Sequence, residues 1–213
     1  MFEKVVDFIR QLYRSEDPIP LHAPYFLGNE KKYLAECIDS RYVSSIGNYV
    51  NLFEEMLASF TGTKSAVACV NGTCALHIAL RIAGVVQNDE VITQALTFAA
   101  TGNAISYNGA HPVFVDVDKE TMGLSPHYMH EWLIKNAEVR GGECYNVKTG
   151  RRIKGCLPMH TFGHPVKLDE LVVLCKKYNI ELIEDAAESI GSYYKNKHTG
   201  TFGKVGVISF NGN

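Results

Sequence analysis

Four short stretches of the sequence place small, polar or aromatic residues where a ligand could be held. Asn71-Gly72-Thr73 follows the apolar run "SAVACV" and leads straight into "GTCALHIALRIAG". Glycine lets a backbone approach a ligand closely, threonine adds a hydroxyl, and a helix N-terminus offers free N–H groups and the positive end of its dipole. The combination suits a phosphate, and an ordinary helix N-cap would use the same residues. Phe98, in "ALTF" after "EVITQ", is placed either to lie over a flat ligand or to fill the core. Glu184-Asp185-Ala186-Ala187-Glu188 sets three carboxylates at the end of "IELI", where burial without a partner is costly. An aspartate there could face a cationic ring nitrogen, with Ala187 leaving room for a planar group; a solvated loop or an N-cap is the plainer reading. The fourth stretch is "VGVISF" with Asn211-Gly212-Asn213 after it and Ser209 just inside it.

A phosphate cup, an aromatic ring, a strand-end carboxylate and a second hydroxyl and amide group together describe a site for a flat, phosphorylated, cationic heterocycle. Pyridoxal 5′-phosphate (PLP) fits, since it needs a phosphate anchor, a carboxylate on its pyridinium nitrogen and a lysine.

The elements that must position these groups alternate along the chain. "SAVACV", "EVITQ", "PVFVDV", "GCLPMH", "IELIED" and "VGVISF" read as strands. Between them "GTCALHIALRIAG", "FAATGNAISYNG", "SPHYMHEWLIKN" and "KLDELVVLCKKYN" have apolar residues at helical spacing. Such alternation predicts an α/β domain with a mainly parallel sheet covered by helices on both faces, and ligands beyond the carboxyl ends of its strands. Ser125-Pro126 is the favoured order for a helix start, and Asn29 is a plausible cap for "NEKKYLAECIDS". The division expected is an N-terminal segment and helix over 1–41 and a larger domain over 42–213, incomplete at its C-terminal end. Residues 137–154 break the rhythm and predict an exposed insertion, a hairpin with a turn at Lys148-Thr149-Gly150, in which Arg151-Arg152 is a solvated face.

The bulk composition narrows the class. With 46% hydrophobic and 21% charged residues the chain reads as globular, and a net charge of −2 argues against a nucleic-acid surface. No apolar run approaches the ~18 residues of a membrane span, and the start "MFEKVVDFIRQLY" carries acidic residues unlike a secretory signal. Six cysteines without a C-x-x-C pair read as reduced, mostly buried thiols of a cytoplasmic protein. No metal site is expected; His127 and His130, three apart, read as a solvated helix face.

The stretches "VNGTCALHIAL", "DEVITQALTFAATGNAISYNGAHPVFVDVD", "LPMHTFGHPVKLDEL" and "IELIEDAAESIGSYYKNKHTGTFGKVGVISFNGN" resemble the DegT/DnrJ/EryC1/StrS family of PLP-dependent sugar-nucleotide aminotransferases. The resemblance implies the large domain of a fold-type I PLP-dependent transferase, with a smaller C-terminal domain after it. It implies that Gly72 and Thr73 hold the phosphate, Phe98 stacks on the pyridine ring, and Asp185 pairs with the ring nitrogen. Glu188 would lie near the ring hydroxyl, and Ser209 and Asn211 would complete the phosphate site. The Schiff-base lysine is expected immediately after Asn213. "VDVDKETMGLSP" and "LPMHTFGHPVKLDELV" are most similar to enzymes that aminate C4 of UDP-linked 4-keto-6-deoxy-N-acetyl sugars on routes to legionaminic acid and bacillosamine, with L-glutamate as amino donor. A GDP-linked 4-keto sugar is a close rival. Ser44, Ser45, Gly47 and His164 are then candidates to face the nucleotide sugar, and a homodimer with shared active sites is expected. Two other readings stay open: a dehydratase of the same family with histidine at the lysine position, and a relative that senses a sugar nucleotide without turnover.

Overall fold

A computed structural model describes residues 2–20 and 23–210. The described residues up to Ser44 form one compact unit, and Ser45–Phe210 form another. The first unit carries two helices, α1 (Glu3–Tyr13) and α2 (Glu30–Ser40), neither of which buries a residue. Asn29 stands at the N-cap position of α2, but its side chain makes no capping bond.

The second unit begins with α3 (Asn48–Thr61) and α4 (Gly72–Ile82). Then come β1 (Glu90–Gln94), α5 (Ala99–Tyr107), β2 (His111–Val115), α6 (Pro126–Asn136), and the hairpin strands β3 (Ala137–Arg140) and β4 (Glu143–Asn146). The rest is β5 (Ile153–Leu157), α7 (Leu168–Tyr178), β6 (Glu181–Asp185), β7 (Tyr193–Tyr194), β8 (Lys197–His198) and β9 (Val205–Val207). Five strands form one parallel sheet in the order β2-β1-β5-β6-β9. From β1 the chain steps outward to β2, then returns to the other side for β5, β6 and β9. The switch point therefore lies between β1 and β5, where an open parallel sheet leaves a crevice at the carboxyl ends of its strands. Among the described residues no helix is long and apolar enough to cross a membrane.

Successive strand residues point to opposite faces, and both faces are buried here. Ile92, Cys156 and Leu182 join Met129 and Leu133 of α6 and Leu168 and Leu171 of α7 in one core. Val91, Leu157, Ile183 and Val207 join Leu76 and Leu80 of α4 and Ala104 and Ile105 of α5 in the other. This is why the strands read as nearly continuous apolar runs. Ser125 caps α6 as its sequence predicts, its hydroxyl accepting from the Tyr128 N–H, with Pro126 in the first turn.

The structure departs from the sequence reading in several places. "VGVISF" is a strand only over Val205–Val207, so Ser209 lies past its end and not just inside it. "SAVACV" is not a strand: no described strand runs beside it, and Val67 and Val70 are exposed. A strand needs a ladder partner for its N–H and C=O groups. Here Ala68 N–H goes instead to Glu54 Oε1 (2.7 Å). The hairpin of the insertion turns at Gly141-Gly142, both with positive φ (59° and 82°), the conformation two-residue hairpin loops require; Lys148-Thr149-Gly150 makes a second turn that leads back to β5. Nor is the insertion exposed throughout, since Cys144, Asn146 and Ile153 are buried. Arg152 is not a solvated residue either. Its guanidinium forks onto Asp89 (2.9 and 2.8 Å) and reaches Glu143 (2.7 Å), tying the insertion to the start of β1. Of the six cysteines, Cys69 and Cys74 are exposed, and Cys144, Cys156 and Cys175 are buried.

Candidate functional site

The crevice is built around side chains that end the strands. Gln94, the last residue of β1, is fully buried and has both ends of its amide satisfied. Its Nε2 donates to Leu96 O (2.9 Å) and Thr161 Oγ1 (3.0 Å), while Oε1 accepts from Leu124 N (2.7 Å) and Met159 N (3.1 Å). It thereby fastens the segments after β1, β2 and β5 to one another.

The two adjacent acids that end β6 have opposite lives. Glu184 is fully buried and accepts four hydrogen bonds: from the N–H groups of Gly200 (2.8 Å), Phe202 (2.5 Å) and Gly203 (2.8 Å), and from His160 Nε2 (3.2 Å). His160 Nδ1 accepts from Val166 N–H, so its proton is on Nε2 and points at Glu184. Glu184 is a structural clamp on the 200–203 loop. Asp185, only 2% exposed, faces the other way. Its backbone is locked by Pro158 O and His160 N (2.9 and 3.1 Å). Its Oδ2 accepts from Thr101 Oγ1 (2.7 Å), and its Oδ1 from Ala187 N–H at a long 3.3 Å. Burial raises the Asp185 carboxyl above the usual carboxylate range, opposed by the Thr101 and Ala187 bonds and by nearby His160, and reinforced by Glu188. A buried carboxylate that still pays for its desolvation is short of positive charge. It is a receptor for a cation such as a protonated ring nitrogen.

The other sequence-predicted residues approach this point from three sides. The N–H of Ser209, two residues past β9, bonds Ala187 O (3.3 Å). Across from it is Gly72, the first residue of α4: a Cβ added there would lie 3.2 Å from both Cβ and Oγ of Ser209. Asn71 caps α4, its Oδ1 accepting from Cys74 N–H (2.8 Å), so the other leading N–H groups of the helix stay available. Thr73 is half-buried in the same turn. Phe98 immediately precedes α5, and its carbonyl accepts from Thr101 N–H (3.1 Å); its ring is 71% exposed and is not core. Glu188 takes Phe162 N–H on Oε2 (3.1 Å). Gly72, Ser209, Asp185, Glu188 and Phe98 are thus linked through single contacts around the ends of four elements; a helix N-terminus, a hydroxyl and a buried carboxylate are the chemistry that a phosphorylated, cationic ring such as PLP needs.

The residues expected to meet a nucleotide sugar stand in other stretches. Ser45 is exposed ahead of α3 and Gly47 is the N-cap of that helix, while Ser44 belongs to the first unit. His164 is exposed and closes the turn after β5 through its N–H on Thr161 O (3.0 Å). Asn211 lies outside the described residues. Sequence reasoning missed Gln94, Thr101, His160 and Glu184 as supports of the site. For Gln94 and Glu184 the available signal was a polar or charged residue ending an otherwise apolar strand; Thr101, in α5, and His160, past the end of β5, gave no such signal.

Residues 26–213 match the model of the DegT/DnrJ/EryC1/StrS aminotransferase family. The chain belongs to this family. It is 40% identical over 195 residues to the putative pyridoxal phosphate-dependent aminotransferase EpsN of Bacillus subtilis, covering 92% of this chain and 48% of that protein. It is likewise 40% identical to GDP-perosamine synthase of Escherichia coli O157:H7, covering 92% of this chain and 49% of the synthase. The solved aminotransferase from Psychrobacter cryohalolentis superposes with a TM-score of 0.78 at 30% identity, over 92% of this chain and 45% of its own. The chain spans about half the length of the curated relatives it matches. The family's cofactor is PLP, and the fold is the large-domain α/β fold of these transferases.

Proposed function

We propose that this chain forms the cofactor-binding part of a cytoplasmic, homodimeric PLP-dependent aminotransferase. The enzyme moves an amino group from L-glutamate to the 4-keto group of a nucleotide-linked 4-keto-6-deoxy sugar, with a UDP-linked N-acetyl sugar as first choice. The observation that carries the reading is the buried Asp185 carboxylate at the carboxyl end of β6, two residues before Ala187, whose carbonyl takes the N–H of Ser209 beside Gly72. When bound, the cofactor supplies an electron sink for breaking and making bonds at the amino carbon. Asp185 holds a proton on its ring nitrogen and keeps that sink effective. Gly72, Thr73, Ser209 and Asn211 would hold the phosphate, Phe98 would cover the ring, and Glu188 would bond the ring hydroxyl. Ser45, Gly47 and His164 would meet the nucleotide sugar. A lysine following Asn213 would serve as nucleophile and then as acid and base. A second reading, a GDP-linked 4-keto sugar, is favoured by the 40% identity to GDP-perosamine synthase.

The test is turnover of UDP- and GDP-linked 4-keto-6-deoxy sugars with L-glutamate, followed by mass spectrometry of the product. A 4-amino product with the UDP substrate preferred in kcat/KM supports the first reading, and the reverse preference selects the second. Loss of a sugar oxygen without gain of nitrogen would identify a dehydratase. Cofactor binding with no change in any such sugar would point to a sensor and end the aminotransferase reading.

A further inference from the structure

We infer that Thr97 and Thr101 act in series as positioning residues for Asp185, fixing which carboxylate oxygen meets the cofactor. This rests on the reading of Asp185 as the ring-nitrogen partner. Thr101 is fully buried in the first turn of α5. Its Oγ1 lies 2.7 Å from Asp185 Oδ2 and 2.6 Å from Thr97 Oγ1. An ionised carboxylate only accepts, and a hydroxyl carries one proton. The Thr101 proton therefore goes to Asp185, and the proton in the 2.6 Å contact comes from Thr97. The other acceptor within reach of Thr97 is the Met159 sulfur (3.1 Å), a weak one, so the hydroxyl pair is preferred. The proton order runs from Thr97 to Thr101 to Asp185 Oδ2.

The series leaves the two carboxylate oxygens unlike. Oδ2 is bound by a short, charge-assisted hydrogen bond that itself accepts another. Among the described residues Oδ1 has only the 3.3 Å contact from Ala187 N–H and retains its best lone pair for a cationic N–H. The titratable groups that bear on Asp185 are His160, in the chain continuing β5, and Glu188, in the turn after β6. His160 gives its ring proton to Glu184, and Glu188 accepts from Phe162, so neither orients the carboxylate as the threonine pair does. Removing the Thr101 hydroxyl would leave burial less opposed. Asp185 would then take up a proton at higher pH, and a neutral acid is a poor partner for a pyridinium.

Two readouts on the protein before and after cofactor addition test this. The first is the pH midpoint of the Asp185 carboxyl carbon by NMR in the unloaded protein, assigned with Asp185→Asn. The second is PLP affinity by fluorescence titration. Thr101→Val should raise the midpoint and weaken PLP by about tenfold, the size of one hydrogen bond to a charged group. Thr101→Ser should restore both, and Thr97→Val should move both the same way by less. A wild-type midpoint in Thr101→Val overturns the series. If that variant fails to fold, an unmoved midpoint in Thr97→Val overturns it equally. A raised midpoint with PLP affinity unchanged in both Thr101→Val and Asp185→Asn overturns the cofactor role of Asp185 instead, leaving the hydroxyl series standing.

Discussion

Gly72 and Ser209 close on each other so tightly that a single added carbon would have to press against the serine: the distance would be 3.2 Å to both its Cβ and its Oγ. The approach between the start of α4 and the chain after β9 leaves room for the hydrogen of a glycine and would crowd a side chain. Gly72→Ala should fold, because alanine in a first helical turn offsets part of the strain through its better propensity, about 0.5–1 kcal/mol. It should nonetheless bind PLP at least about tenfold more weakly, a loss of about 1.4 kcal/mol. Titration calorimetry beside a thermal melt separates the two effects; wild-type affinity would rule out the phosphate cradle.

Glu184 supports a different prediction, about stability. Glutamine keeps its shape but has one acceptor oxygen where the carboxylate has two, and its amide must face two of the four donors. Breaking such a buried, charged network costs about 3 kcal/mol, which lowers the melting temperature by about 6–12 °C in a chain of this size. Circular dichroism melts of Glu184→Gln should show that drop. An unchanged melt would mean that the 200–203 loop does not depend on the clamp.

These supports also mark what the sequence made legible. "EVITQ" is β1 to the residue, because five buried residues between turn signals leave little choice. Asp185 and Ser209 were placed near each other because the carboxyl ends of parallel strands lie together, whereas Gly72 meets Ser209 from a stretch that is not a strand. "SAVACV" has the composition of a strand, but its fate depends on a partner, which a local pattern does not encode. Glu184 and Asp185 are chemically equivalent in sequence; only the pleat, which turns adjacent residues to opposite faces, makes one a clamp and the other a receptor. Arg152 read as surface because its partners, Asp89 and Glu143, reach it through the fold of the insertion.

Two glycines let the backbone argument be checked directly. A Cβ on Gly206, in β9, would lie 2.0 Å from Gly200 O, a backbone atom of the loop that Glu184 clamps. A Cβ on Gly62, after α3, meets nothing within 4 Å, although φ is +74°. Gly62→Ala should therefore cost only the left-handed penalty of about 1 kcal/mol. Gly206→Ala should cost more than about 3 kcal/mol, because neither strand nor loop can yield. Chemical denaturation of the two variants gives the order, and comparable midpoints would disprove the close approach.

The stability of the protein depends on pH through the raised carboxyl of Asp185. Its folded-state pKa lies above the ordinary 3.8 because burial disfavours the charge. Between that ordinary value and the raised one the native state binds more protons than the unfolded chain, so this group's contribution to stability falls as pH rises, and above the raised value the loss is complete. Asparagine at 185 removes the charge and the titration. Unloaded Asp185→Asn should thus be more stable than wild type near neutral pH, with the advantage shrinking as the pH falls toward 3.8. Asp169, which Lys195 and Tyr194 hold down to about 2, acts with the opposite sign but identically in both proteins, so it cancels in the difference. Urea midpoints of the pair from about pH 4 to about pH 8 read the effect. The same substitution should weaken PLP binding, because the desolvated charge that costs stability is the one that receives the ring nitrogen. A stability difference that does not vary with pH would show that Asp185 carries no such strain.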